Sequence, residues 1–135
     1  MSSFLGKWKL SESHNFDAVM SKLGVSWATR QIGNTLTPTV TFSMDGDKMT
    51  MLTESTFKNT TCTFKFGEEF DEKTSDGRNV KSTVTKNSES KLTQVQVDPK
   101  NTTTIIREVE GDMMNTWRKS PSTFNLIMKV KTLQQ

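Results

Sequence analysis

A chain of 135 residues suits a single domain, residues 1–135, able to bury roughly two-thirds of its unfolded surface. Only 32% of residues are strongly apolar, which is low for a solid core, yet the chain is neither Pro-rich nor strongly charged, so disorder is a poor reading. A partly hollow interior with a polar lining reconciles the two. The net charge of +3 and a pI near 9.1 raise nucleic acid or membrane as partners. That charge is local, however. After Asp112 come Arg118, Lys119, Lys129 and Lys131 with no acidic residue, and removing those four takes the net charge from +3 to −1. The chain has no tyrosine, and its phenylalanines lack the spacing of a stacking platform, so a nucleic-acid role is disfavoured. Cys62 is the only cysteine, which excludes an internal disulfide and suits a reducing cytosol. No apolar run reaches membrane-spanning length, and Met1-Ser2-Ser3 leads straight into a strand pattern instead of a signal peptide.

Gly6, Trp8 and Leu10 alternate with Lys7 and Lys9, the pattern of a half-buried strand. Phe16, Val19, Met20 and Leu23 then recur at i, i+3, i+4 and i+7, one face of a short helix. Asn15 caps its start and Gly24 ends it. Trp27 to Ile32 reads as a second short helix, with Ser26 as N-cap and Gly33 as stop. Helices this short, followed only by strands, make a lid a better reading than a DNA-binding pair.

From Pro38 onward the pattern is a run of hairpins. Val40, Phe42 and Met44 alternate with polar neighbours up to the Asp45-Gly46 turn, and Met49, Met51 and Thr53 return. Cys62, Phe64 and Phe66 mark a further strand, broken at Gly67-Glu68-Glu69 before Phe70. After the Ser75-Asp76-Gly77 turn, Val80, Ser82 and Val84 share a face. Leu92, Gln94 and Gln96 share one on the next strand, and Thr103, Ile105, Arg107 and Val109 on the one beyond Asp98-Pro99-Lys100-Asn101. Short turns with no intervening helix predict an antiparallel meander, which must close to avoid two exposed edges.

Arg107 shares its strand face with Ile105 and Val109. If those apolar side chains are buried, a guanidinium points inward and needs an anion, and its planar fork suits a carboxylate. Alternation alone also allows an exposed Arg107. His14, in a polar Ser-Glu-Ser stretch, reads as a surface-loop residue, and one His with one Cys makes no nucleophile–base pair. No paired Cys/His spacing supports a metal, and Asp45-Gly46-Asp47 is a hairpin turn, not a calcium loop. Neither a cofactor nor an enzymatic activity is expected.

Gly6-x-Trp8-x-Leu10, four residues, then Asn15-Phe16-Asp17-x-Val19-Met20-x-x-Leu23 resembles the amino-terminal signature of the intracellular fatty acid-binding proteins, most like the heart/muscle group and its flatworm relatives. The resemblance covers about residues 3–114. It implies an all-β fold: about ten strands in a flattened antiparallel up-and-down barrel of the calycin type, a clam with a two-helix lid after the first strand. It also implies a cytoplasmic, monomeric, non-enzymatic carrier of long-chain fatty acids, with Arg107 on the carboxylate. By matched position the other ligand contacts are Phe16, Met20, Val25 and Thr29 in the lid, then Pro38, Thr53, Ser55, Phe57, Ser75, Asp76, Arg78, Gln96 and Ile105. Lid charges at Lys22 and Arg30 would meet anionic membranes. A retinoid carrier on the same fold and a basic nucleic-acid-binding or adaptor barrel are the alternatives. The family's Arg-x-Tyr motif in the last strand is absent here. Phe124, Leu126, Met128 and Val130 still alternate with Asn125, Ile127, Lys129 and Lys131, so a closing strand is expected with its register open. Lys129 replaces the missing cation only if it points inward.

Overall fold

The computed structural model describes residues 3–14, 18, 20, 21, 24–35, 37–56, 58–74, 77–119 and 127–135; the side chains of 13, 14, 32–35 and 127–131 are outside that description. The chain opens with β1 (Gly6–His14) and, among the described residues, one helix, Trp27–Thr35, before β2 (Thr39–Asp45) and β3 (Lys48–Glu54). It continues through β4 (Thr60–Lys65), β5 (Phe70–Lys73), β6 (Asn79–Ser88), β7 (Lys91–Val97), β8 (Thr102–Glu110), β9 (Met113–Lys119) and β10 (Ile127–Gln134). All ten strands form one antiparallel sheet in the order β4-β3-β2-β1-β10-β9-β8-β7-β6-β5. Each strand pairs with its sequence neighbours except at two places. β1 closes on β10, and β4 and β5 approach without pairing. The result is a nearly closed barrel of the expected architecture.

Around the lid, Ala18, Met20 and Ser21 are helical. The Val25 amide donates to the Met20 carbonyl at 3.0 Å and the Gly24 amide to Ser21 at 3.1 Å, with Gly24 at φ 83°. That pair of bonds is a Schellman stop, which needs the left-handed conformation glycine adopts without strain. The second of the expected helices runs Trp27–Thr35, so Gly33 does not end it. Glycine inside a helix costs only about 1 kcal/mol, too little to stop one that other contacts hold. At its start, the Thr29 amide donates to Ser26 Oγ at 3.4 Å, the expected cap. His14 lies in a strand, not a loop. β1 extends beyond Leu10 through a bulge, because Leu10 pairs with Thr132 while Glu12 pairs with Lys131, leaving Ser11 over.

Packing polarises the interior. Phe4, Trp8, Phe42, Met49, Phe64, Val84, Leu92 and Met114 form one buried apolar cluster. Trp8 is wholly buried and its Nε1 donates to the Phe4 carbonyl at 2.8 Å, while Phe4 meets Phe42 edge-on at 5.9 Å. Phe70 stacks on Phe64 at 5.0 Å. Further along the same strand faces the inward side chains turn polar: Thr53 beyond Met49, Ser82 before Val84, Gln94 and Gln96 beyond Leu92. This gradient explains the low apolar content. One end of the barrel is core and the remainder carries polar side chains inward.

The tail completes the barrel. β9 pairs with β8 without a break from Glu110 opposite Met113 to Thr104 opposite Lys119. β10 places Met128 opposite Arg118 and Thr132 opposite Met114. Thr132 and Met114, opposite each other, are buried while Leu133 is exposed, so the end of β10 keeps the alternation of β9. The Gln134 amide to Asp112 and the Gln135 amide to Lys7 seal the seam.

Candidate functional site

Between inward Ile105 and Val109, Arg107 takes the inward orientation. Its Nη1 donates to Gln94 Oε1 at 2.8 Å. Gln94, buried on β7, donates through Nε2 to Glu72 Oε1 at 3.0 Å. That same oxygen accepts from Ser82 Oγ at 2.6 Å and from Gln96 Nε2 at 3.0 Å. An ionised carboxylate only accepts, so each glutamine must turn its nitrogen to Glu72 and its oxygen away. Gln94 presents that oxygen to Arg107, and Gln96 Oε1 is buried without a hydrogen-bond partner.

Burial pushes the Arg107 pKa down, and the fields of Glu72 and Cys62 oppose that shift. An arginine remains protonated at neutral pH all the same. Part of its surface stays accessible because it borders a cavity inside the barrel. The cavity measures about 160 Å³, less than the roughly 300–1,000 Å³ of whole ligand pockets, a size for a polar head group. A wider, open groove of about 710 Å³ among Asp71, Lys73, Lys81, Val97 and Pro99 lies at the β5–β7 edge, and Arg107 does not line it. Burial raises the Cys62 thiol to about 12, Glu72 adding to the shift and Arg107 opposing it. A thiol so protonated is a poor nucleophile.

Of the residues expected from sequence, Thr53, Gln96 and Arg107 line this cavity together. Met20 and Val25 are buried in the lid region and Ile105 beside Arg107 on β8. Thr29 accepts from Ser26 Oγ at 3.0 Å, and the Pro38 carbonyl accepts from the Leu10 amide. Ser55 is a turn residue: its Oγ donates to the Lys58 carbonyl at 2.9 Å and its amide to Asn59 Oδ1 at 3.1 Å. Arg78 reaches Asp98 Oδ2 at 3.4 Å, an ion pair joining the turns after β5 and β7, both side chains largely buried. Phe16, Phe57, Ser75 and Asp76 are outside the described residues, as is the Lys129 side chain. The Lys129 backbone pairs with Trp117 and with His14.

Several lining residues were not singled out from sequence, and among them Glu72 and Arg118 are the charged ones that are not exposed. Glu72 sits two places from Phe70, and the break at Gly67 hid that short strand's parity. Arg118 sits four places from buried Met114 on β9, in a stretch that no longer resembled the family.

Residues 5–117 match the lipocalin / cytosolic fatty-acid binding protein family. Over 116 residues the chain is 90% identical to a 14 kDa fatty acid-binding protein of Schistosoma mansoni, covering 86% of this chain and 87% of that one. It is 48% identical to a Clonorchis sinensis fatty acid-binding protein over 136 residues, covering 100% and 99% of the two chains. A solved Schistosoma mansoni fatty acid-binding protein in complex with arachidonic acid superposes with a TM-score of 0.96 at 77% identity, over 100% of this chain and 98% of that one. With the signature at its amino end, a ten-stranded barrel and a match across most of its length, this chain belongs to the lipocalin / cytosolic fatty-acid binding protein family.

Proposed function

We propose that the chain is a single-domain, monomeric, non-enzymatic carrier of long-chain fatty acids in the cytoplasm, with the acid inside the barrel and its carboxylate on Arg107. The observation that carries this reading is Arg107 itself, a guanidinium turned into an internal cavity and held by the neutral oxygen of Gln94. A fatty-acid carboxylate is the anion that would satisfy it. Burying each methylene contributes about 0.8 kcal/mol, so the chain supplies affinity and the head group supplies orientation. The likeness to proteins described as fatty acid-binding, one in complex with arachidonic acid, supports the same ligand class. The high pKa of Cys62 argues against nucleophilic chemistry at this site. Among the described residues no helix is long and apolar enough to cross a membrane.

Transient contact with anionic membranes fits the lid. Trp27 is 67% exposed, and Arg30, on the next turn, adds positive charge beside it; Lys22 adds another by sequence. The carrier reading is tested by displacing a fluorescent fatty acid with arachidonic acid, retinoic acid and an oligonucleotide in parallel. Displacement by arachidonic acid at the lowest concentration is expected. Preference for retinoic acid would reassign the ligand class, and displacement by the oligonucleotide alone would reject the carrier.

A further inference from the structure

Arg107 and Glu72 border the same cavity, and their charges cancel. That pair alone gives a carboxylate little electrostatic reason to leave water, whatever the acyl chain gains. Arg118 alters that balance. It lines the cavity from β9, where it lies opposite Ile105, while Arg107 lies opposite Thr116. The two arginines are therefore diagonal neighbours on one face of adjacent antiparallel strands. Such positions are about 7–8 Å apart at the backbone, within reach of long side chains converging on one small anion. Among the described lining residues that are not exposed, Arg107, Arg118 and Glu72 together carry +1, the complement of one carboxylate. Lys73 also borders the cavity, but from an exposed position on β5.

We propose that Arg118 is the second cation of the head-group site, so that a fatty-acid carboxylate is held between β8 and β9 instead of by the final strand. The proposal rests on the carrier reading and deepens it. Two guanidinium forks can each direct N–H groups at the same pair of oxygens, which a single arginine tied to Gln94 cannot do alone. A neutral head group of similar size gains little from either.

The test is calorimetric titration of the full chain with arachidonic acid and with the primary alcohol of the same acyl chain. Arg118→Gln should weaken the acid about ten- to a hundredfold, the value of one charged hydrogen bond, and leave the alcohol within about threefold. Arg118→Lys keeps the charge but loses the fork, so the acid-over-alcohol preference should fall severalfold. Should Arg118→Gln not fold, as judged by circular dichroism, the Lys variant decides by that ratio. An unchanged ratio, whether from equal losses or none, overturns the role of Arg118 while the carrier reading stands. Failure of the unmodified chain to bind either ligand overturns both.

Discussion

Gln94 Oε1 accepts from Arg107 Nη1 at 2.8 Å across the β7–β8 pair, and the nitrogen of the same amide donates to the Glu72 carboxylate at 3.0 Å, bridging cation and anion. A direct Arg–carboxylate bond would compete strongly with any arriving anion. An interposed neutral amide holds Arg107 in place and leaves most of its charge unsatisfied. This network thus orients the cation without occupying it fully.

Replacing that bridge is expected to destabilise the protein in a ligand-dependent way. Gln94→Leu keeps the volume but strips Arg107 of an acceptor and Glu72 of a donor, costing about 1–3 kcal/mol. Urea denaturation measures this without ligand. With saturating arachidonic acid the loss should shrink, because the carboxylate becomes the missing acceptor. An equal loss in both conditions would mean the ligand never reaches Arg107.

How much of this was legible in the sequence depends on parity. Trp8, Phe42, Met49, Val84, Leu92 and Ile105 were placed by simple alternation, and all are buried as that predicts. Gly24 was legible as a stop because a Schellman turn demands its backbone, whereas Gly33 was misread because a helix tolerates one glycine. His14 was misplaced because the bulge at Ser11 carries β1 into a polar stretch that reads as loop. Glu72 and Arg118 stayed hidden for a related reason. A charged residue declares itself inward only when the strand's apolar partners are recognised, and Phe70 stands alone before Glu72. On β9, Met114 is the one buried apolar residue to set the face.

Cys62 should be chemically sluggish. With its thiol raised from 9.0 to about 12, the thiolate fraction at pH 8 is on the order of a thousandth of that of an unperturbed cysteine. Iodoacetamide labelling of the native chain should be slower by a similar factor and accelerate on unfolding. The linkage sign follows. A pKa raised in the folded state contributes stability in full below pH 9, lost progressively as pH rises from 9 towards 12. Native labelling as fast as that of the urea-unfolded chain would contradict the burial.

Ligand transfer to vesicles should depend on lid charge and on Trp27. Stopped-flow transfer of a fluorescent fatty acid to anionic vesicles is expected to exceed that to neutral ones and to slow with salt. Trp27→Ala should slow it further, since an exposed indole suits the membrane interface. Equal rates to both vesicle types would rule out contact-driven transfer.

The register of the last strand makes the sharpest forecast. Thr132 is buried and its Oγ1 donates to the Met114 carbonyl at 3.4 Å, whereas its neighbour Leu133 is 41% exposed. Polarity alone would assign them the other way round, the threonine out and the leucine in. Thr132→Lys forces an ammonium into the barrel and should cost about 3 kcal/mol or more, or abolish folding. Leu133→Lys should change stability by within about 0.5 kcal/mol, as an ordinary surface substitution does. A one-residue slip of β10 against β9 would turn every side chain over and exchange the two outcomes. Paired urea denaturation curves of the two variants therefore read the register directly. If Leu133→Lys is the damaging change, the strand is not paired as Thr132 opposite Met114, and Met128 no longer stands opposite Arg118.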